Sequence, residues 1–176
     1  MEKTVLFVGN LVPVKGIDRL FRAMAELPQA RLRIVGDGPL RRKLARLAVK
    51  LGIHDRVDFL GRKPPKEVAD LMRAADVLCL PSRSEGMPNV VLEALACGAP
   101  VVATAVGEIP FLIRDGVNGA VVAGEDDDTV AAGLAAALRT VLERDWDPQE
   151  ISAGVRDYTW ENAARTIVAA MLARRS

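Results

Sequence analysis

Two carboxylates and a lysine are the side chains whose types and spacing point to chemistry. Glu85 and Glu93 stand eight positions apart in the run Ser-Glu-Gly-Met-Pro-Asn-Val-Val-Leu-Glu-Ala-Leu-Ala-Cys-Gly, residues 84–98. The run reads as a loop, a helix begun near Pro88 and a stop at Gly98. The first turn of such a helix has N–H groups without intrahelical partners, and its dipole turns positive potential outward. A phosphate suits that position, and Gly86 lets a ligand come close to the backbone. Glu93 lies one turn deeper, and helical side chains lean toward the N-terminus. Its carboxylate repels a phosphate but accepts hydrogen bonds from a pair of sugar hydroxyls. Flanked by Val-Val-Leu and Ala-Leu-Ala, it is expected inside apolar packing, where an unpaired carboxylate is costly. A ligand diol or the amides of a neighbouring loop could satisfy it. Anion at the helix tip and diol one turn deeper together describe a nucleoside diphosphate.

Lys15 closes a second loop, Gly9-Asn10-Leu11-Val12-Pro13-Val14-Lys15-Gly16. A lysine there either reaches a phosphate as a point charge or is an ordinary solvated side chain. No Walker loop is present, and no Gly-x-Gly-x-x-Gly follows the first apolar run, which weighs against a dinucleotide dehydrogenase.

The elements that must carry these loops alternate. Short apolar runs at 4–8, 31–35, 57–60, 77–80, 100–103 and 120–122 are bounded by Gly, Pro or Asp, as parallel strands covered on both faces should be. Between them lie helical patterns at 17–27, 40–51, 66–74 and 89–97, with a weaker turn at 109–114. Leu40, Leu44, Leu47 and Leu51 mark one face of the second, with Arg41, Arg42, Lys43, Arg46 and Lys50 outside. An Ala-rich helix at 127–144, a short one near 149–157 and a last one at 160–174 complete the chain. The alternation predicts one α/β domain over residues 1–176: a Rossmann-like, doubly wound, six-stranded parallel sheet flanked by helices, with extra C-terminal helices. Ligands bind such sheets at the carboxyl ends of the strands, where these loops lie.

Composition narrows the partners. The 176 residues carry a net charge of +1, so no nucleic-acid partner is expected. Residues 1–88 hold 17 basic and 10 acidic side chains, residues 89–176 hold 7 and 13. The basic half either faces an anionic ligand or shows solvated helix faces. Cys79 and Cys97 form neither a disulfide framework nor a metal-ligand pattern. They suit a reducing compartment, and the expected location is cytoplasmic. No signal peptide is read at the start, and no apolar run approaches the length of a membrane span. The one histidine, His54, falls in a turn after a helix and is expected at the surface or in a cap.

Several motifs, in order and spacing, carry a resemblance. They are Phe7-Val8-Gly9-Asn10 through Lys15-Gly16-Ile17-Asp18, Val35-Gly36-Asp37-Gly38-Pro39, Val57-Asp58-Phe59-Leu60-Gly61, Pro81-Ser82-Arg83-Ser84-Glu85-Gly86 through Gly98, Asp115-Gly116-Val117-Asn118-Gly119 and Tyr158-Thr159-Trp160-Glu161. Together they resemble family 4 of the retaining glycosyltransferases, in the carboxyl-terminal, donor-binding domain of the two-domain GT-B architecture. The resemblance implies an enzyme that moves a sugar from a nucleoside diphosphate, such as UDP, to an acceptor hydroxyl with retention of configuration. Glu93 would then hold the ribose hydroxyls, and Glu85 would lie at the reacting centre. The backbone of Gly86, Met87, Pro88, Asn89 and Val90 would face sugar and diphosphate. Lys15, beside Gly9 and Asn10, would neutralise phosphate charge, and Gly61 with Arg62 would line the base. The family needs no metal or other cofactor: a cation and a helix dipole stabilise the departing diphosphate.

Two positions depart from the family. Asn10 stands where an arginine is common, and Phe111 stands where an acid usually follows the proline of Val106-Gly107-Glu108-Ile109-Pro110. The amino-terminal acceptor domain does not precede Met1, so this chain alone is expected to bind donor and transfer poorly, with the acceptor domain or a partner chain missing. The stripe Ile167, Val168, Met171 and Leu172 of the last helix would lack part of its cover. The rival reading is a non-catalytic α/β module that forms a homodimer or docks on a partner chain. An epimerase-like enzyme that uses a nucleotide sugar is a third.

Overall fold

The computed structural model describes residues 3–156. Six strands, β1 (Lys3–Val8), β2 (Ala30–Val35), β3 (Val57–Gly61), β4 (Val77–Leu80), β5 (Val101–Thr104) and β6 (Gly119–Val122), form one sheet in the order β3-β2-β1-β4-β5-β6. Every neighbouring pair is parallel. Parallel strands need crossovers, and the alternating helices supply them. These are α1 (Ile17–Ala25), α2 (Arg41–Lys50), α3 (Pro65–Ala74), α4 (Asn89–Ala96) and the one-turn α5 (Ile109–Leu112), followed by α6 (Asp127–Glu143) and α7 (Pro148–Ala153). α1 packs against α2 and α6, while α4 packs against α3 and α7. With helices on both sides, the four residues of β4 and the four of β5 are all buried. This explains why both strands are continuous apolar runs rather than alternating ones.

Element ends differ from the sequence reading by up to four residues, most at α7, which ends at Ala153 rather than near 157. The pattern of α1 extends to Leu27, but the helix stops at Ala25 and the chain tightens: Glu26 N donates to Ala23 O at 3.1 Å and Leu27 N to Met24 O at 3.2 Å. Leu27 still fills the core, fully buried, without helical geometry. α4 stops at Ala96 because Gly98 turns left-handed, with φ +79°. A Cβ there would lie 2.6 Å from Pro148 Cβ, so only glycine lets α7 pack so close. Asp126 starts α6 by accepting from the amides of Asp128 and Thr129 at 3.0 and 2.8 Å. The helix expected at 160–174, with its apolar stripe and the Tyr158–Glu161 motif, lies outside the described residues.

Strand order turns back between β1 and β4. Their carboxyl ends therefore open onto a crevice that no crossover fills, the place where α/β sheets take ligands.

Candidate functional site

Two loops meet at that crevice. The first leaves β1 through Gly9 and ends in a single 3-10 turn, Pro13–Lys15, whose cap Gly16 has φ +59°. A Cβ on Gly16 would sit 2.1 Å from Pro81 O, so glycine allows this loop to lie directly on the start of the other. The second loop runs from Pro81 to Pro88. Ser82 is fully buried, and Thr104 Oγ1 donates to its carbonyl at 2.6 Å, tying the loop to the end of β5.

The contact between the loops is an ion pair. Lys15 Nζ donates to Glu85 Oε1 at 2.6 Å, with side-chain exposures of 24% and 10%. Ser82 Oγ donates to the same oxygen at 2.6 Å. Among the described residues Oε2 accepts nothing, and no unpartnered side-chain oxygen is sealed from solvent. The pair therefore keeps an acceptor in reserve. Gly9 lies next to it: a Cβ there would be 4.0 Å from Lys15 Cε. Asn10 is exposed beside it.

Around the pair lie the other residues singled out by sequence. Pro88 caps α4 without a side-chain hydrogen bond; Asn89 N donates to Met87 O at 3.1 Å and Val91 N to Pro88 O at 2.9 Å, with Met87 and Asn89 exposed and Val90 half-buried. Gly86 and Gly61 share a property that separates them from the neighbouring glycines: an added Cβ would meet nothing within 4 Å. At Gly36, Gly38 and Gly107 it would strike backbone oxygen at 1.9, 2.6 and 2.2 Å. The first two glycines border open space, and the last three are demanded by packing. Gly61 and the exposed Arg62 lie at the end of β3.

One expectation is overturned. Glu93 is not enclosed in apolar packing but exposed, on an outward stripe with Asn89 and Ala96. The spacing i, i+4, i+7 leaves that line of α4 uncovered while Val91, Ala94 and Leu95 take the core. No interior amide holds the carboxylate among the described residues, and the cost of a buried unpaired acid does not arise. Cys97, one turn further, is half-buried; burial first, then the Glu93 charge among its neighbours, push its thiol pKa up. Of the two departures, Phe111 is 76% exposed. Glu108 N donates to Gly86 O at 3.3 Å, which brings the start of α5 against the Glu85 loop.

Sequence reasoning assigned no part to Arg83, which makes the densest set of contacts here. Its backbone N donates to Val14 O at 2.8 Å. Nη1 donates to Pro13 O at 2.8 Å and Asp18 Oδ1 at 3.0 Å, and Nη2 to Asp18 Oδ2 and Asp127 Oδ2, each at 2.7 Å. Arg19 donates to the other oxygen of Asp127 at 2.6 Å. Burial is the largest single influence on Asp18 and opposes its ionisation, yet the Arg83 hydrogen bonds, the Arg83 charge and a backbone hydrogen bond together outweigh it and hold the carboxyl below its ordinary value. Asp127 is lowered too, first by Arg83 and then, against burial, by Arg19. The partners are 65 and 44 residues from Arg83, a separation that leaves no local signal in sequence.

Among the described residues, no three His, Cys, Asp or Glu side chains gather as a metal site, and no helix is long and apolar enough to cross a membrane. Both cysteines are free, and burial pushes the Cys79 thiol far up. His54 is about half exposed and lies 3.2 Å from Asp55 in a short turn away from these loops.

Comparison with known proteins agrees with this architecture. The family model described as glycosyl transferases group 1 matches residues 1–149. D-inositol 3-phosphate glycosyltransferase of Mycobacterium marinum is 39% identical over 176 residues, spanning 96% of this chain but 38% of the relative. Sucrose-phosphate synthase from Thermosynechococcus elongatus superposes with a TM-score of 0.79 at 31% identity, over 99% of this chain and 46% of that one. Anabaena HepE, solved in complex with UDP, superposes at 0.69 with 26% identity, over 96% of this chain and 49% of the other. The chain thus spans about half, or less, of each protein it matches. From its sequence, its sheet order and these matches, it belongs to the glycosyl transferases of group 1.

Proposed function

We propose that this chain is the donor-binding half of a retaining glycosyltransferase and holds a nucleoside-diphosphate sugar in the crevice between β1 and β4. The observation that carries the reading is the Lys15–Glu85 pair at the strand-order reversal, beside the start of α4. The UDP complex of a structural neighbour supports the ligand class. In this reading the diphosphate takes Lys15 and the backbone from Gly86 to Val90, where Pro88 itself has no N–H to give. The exposed Glu93 accepts the ribose hydroxyls, and the base lies on Gly61 and Arg62. Glu85, with Oε2 open, contacts the donor sugar at the reacting centre. As the glycosidic bond to the diphosphate breaks, charge grows on the leaving oxygen, where a preorganised cation and helix dipole stabilise it most. Lys15 and α4 supply that charge from the chain itself, and we propose that no metal is needed. Transfer requires an acceptor domain across the crevice, so the chain alone binds donor and turns over slowly or not at all.

Titration calorimetry with UDP, GDP and ADP and their glucose conjugates tests this directly. One nucleotide series should bind, with unchanged affinity after chelation of divalent metals. Folded protein that binds none of them at millimolar concentration would remove the proposal. Asn10 sharpens it: Asn10→Arg adds a phosphate-facing cation and should tighten UDP binding by about tenfold, the lower end of a charge-assisted bond.

A further inference from the structure

We propose that Arg83 is a positioning residue, fixing the separation of Lys15 and Glu85 by clamping the loop of the first onto the loop of the second. Both functional side chains sit on loops, which strand pairing alone does not hold in register. Arg83 lies two residues before Glu85 and reaches back across the crevice wall. Its own amide and one guanidinium nitrogen donate to Val14 O and Pro13 O, the two residues that precede Lys15. The other contacts anchor that same guanidinium. Asp18, in the first turn of α1, takes it bidentately through both oxygens, and Asp127, in the first turn of α6, takes Nη2. Arg19 braces Asp127 from the far side. Four elements therefore converge on one planar group: the β1 loop, the β4 loop, α1 and α6. A guanidinium fits because its fixed fork can serve two carboxylates and a carbonyl at once. A lysine in its place offers one charge and no fork.

The arrangement differs from a generic surface salt bridge in where its consequence falls. Among the described residues Lys15–Glu85 is the only side-chain to side-chain hydrogen bond between the two loops, and Arg83 ties the second loop to the backbone of Pro13 and Val14, directly before Lys15. Loosening the clamp should change the Lys15–Glu85 geometry before it changes the fold, since the core strands lie elsewhere. The inference rests on the donor-binding reading for its ligand measurement, and a second measurement avoids that dependence.

Arg83→Lys and Arg83→Met, alone and combined with Lys15→Met, form a double-mutant cycle read in the Kd for UDP. Arg83→Lys should weaken UDP binding about fivefold, Arg83→Met more, and either change should have less than about a twofold effect once Lys15 is gone, because coupled residues are non-additive. Thermal unfolding of each variant identifies loss of fold. Without nucleotide, acylation of the Lys15 amine, followed by mass spectrometry, should accelerate several-fold in Arg83→Lys. Equal effects in both backgrounds, or a Lys15 amine no more reactive than in the parent protein, would overturn the clamp. A parent protein that binds no UDP, but whose Lys15 becomes more reactive in Arg83→Lys, would leave the clamp standing and remove the donor reading instead.

Discussion

The same two strands are bridged by a lysine–carboxylate pair at each end, and the pairs are built differently. At the amino ends, Lys3 Nζ lies 3.0 Å from Asp76 Oδ1, and the second carboxylate oxygen accepts from Thr4 N at 2.8 Å. Asp76 N in turn donates to Thr4 O at 3.1 Å. Both oxygens are used, Lys3 belongs to β1, and Asp76 immediately precedes β4. At the carboxyl ends, Lys15 and Glu85 stand on loops, both hydrogen bonds fall on Oε1, and Oε2 has no partner among the described residues. The first pair is a staple whose capacity is spent within the chain. The second is better shielded, at 24% and 10% exposure against 40% and 32%, yet leaves one carboxylate oxygen without a partner among the described residues. Burial alone does not distinguish the two; the saturation of the carboxylate does.

The comparison breaks first, and most visibly, at the lysines. Lys15→Met should raise the Kd for UDP by about 10–100-fold, the value of a charge-assisted bond of about 1.5–3 kcal/mol. Lys3→Met should leave it unchanged. Both changes cost similar stability, about 1 kcal/mol or less. Calorimetry beside urea unfolding separates affinity from stability. A Lys3 variant that loses affinity as Lys15→Met does would erase the distinction between staple and open pair.

Glycines give the next largest contrast. Gly107 has φ +56°, and a Cβ would lie 2.2 Å from Glu85 O, so Gly107→Ala should destabilise by about 2 kcal/mol or more through strain and clash. Gly86, with nothing within 4 Å, should accept alanine at little cost in unfolding free energy while weakening UDP binding. Equal stability losses at both positions would mean that the space over Gly86 is not free. At the opposite end of the sheet, Asp76→Ala removes two bonds at once and should cost about 1–2 kcal/mol with the nucleotide affinity intact.

What could be read from sequence follows from how local each interaction is. The strands were legible because short apolar runs between Gly and Pro leave few alternatives. α2 was legible because Leu44 and Ala48 face the core while its basic residues point outward. The Lys15 and Glu85 loops were marked by their place after β1 and β4. The burial of Glu93 was misread because the six apolar residues around it, Val90 to Leu92 and Ala94 to Ala96, suggest enclosure, whereas a helix that packs on one side leaves a stripe open regardless of its sequence neighbours. Ser82 and Arg83 were visible as letters in a motif, but their partners Thr104, Asp18 and Asp127 arrive from the end of β5 and the first turns of α1 and α6. No periodicity records a contact that only the sheet order creates.

The smallest expected effect tests that hidden cluster through pH. Asp18 and Asp127 are held below the ordinary aspartate value of 3.8 in the folded chain, Asp18 because the hydrogen bonds and charge of Arg83, with a backbone hydrogen bond, together overcome its burial, Asp127 chiefly through Arg83 itself. A lowered folded pKa means that the unfolded chain binds more protons as acid is added. The stabilisation is complete above pH 3.8 and declines as pH falls through the lower folded values. With the side chains of Arg83, Asp18 and Asp127 between 30% and 40% exposed, water and salt screen the cluster, and the pH-dependent part should stay under about 1 kcal/mol. Urea unfolding of the parent protein and Arg83→Met at pH 5 and pH 3 isolates it. The gap between the two should narrow at the lower pH, because protonated aspartates no longer reward the guanidinium. A gap that stays constant would mean that Arg83 contributes through its side-chain contact with the Pro13 carbonyl, and that the two aspartates only orient it.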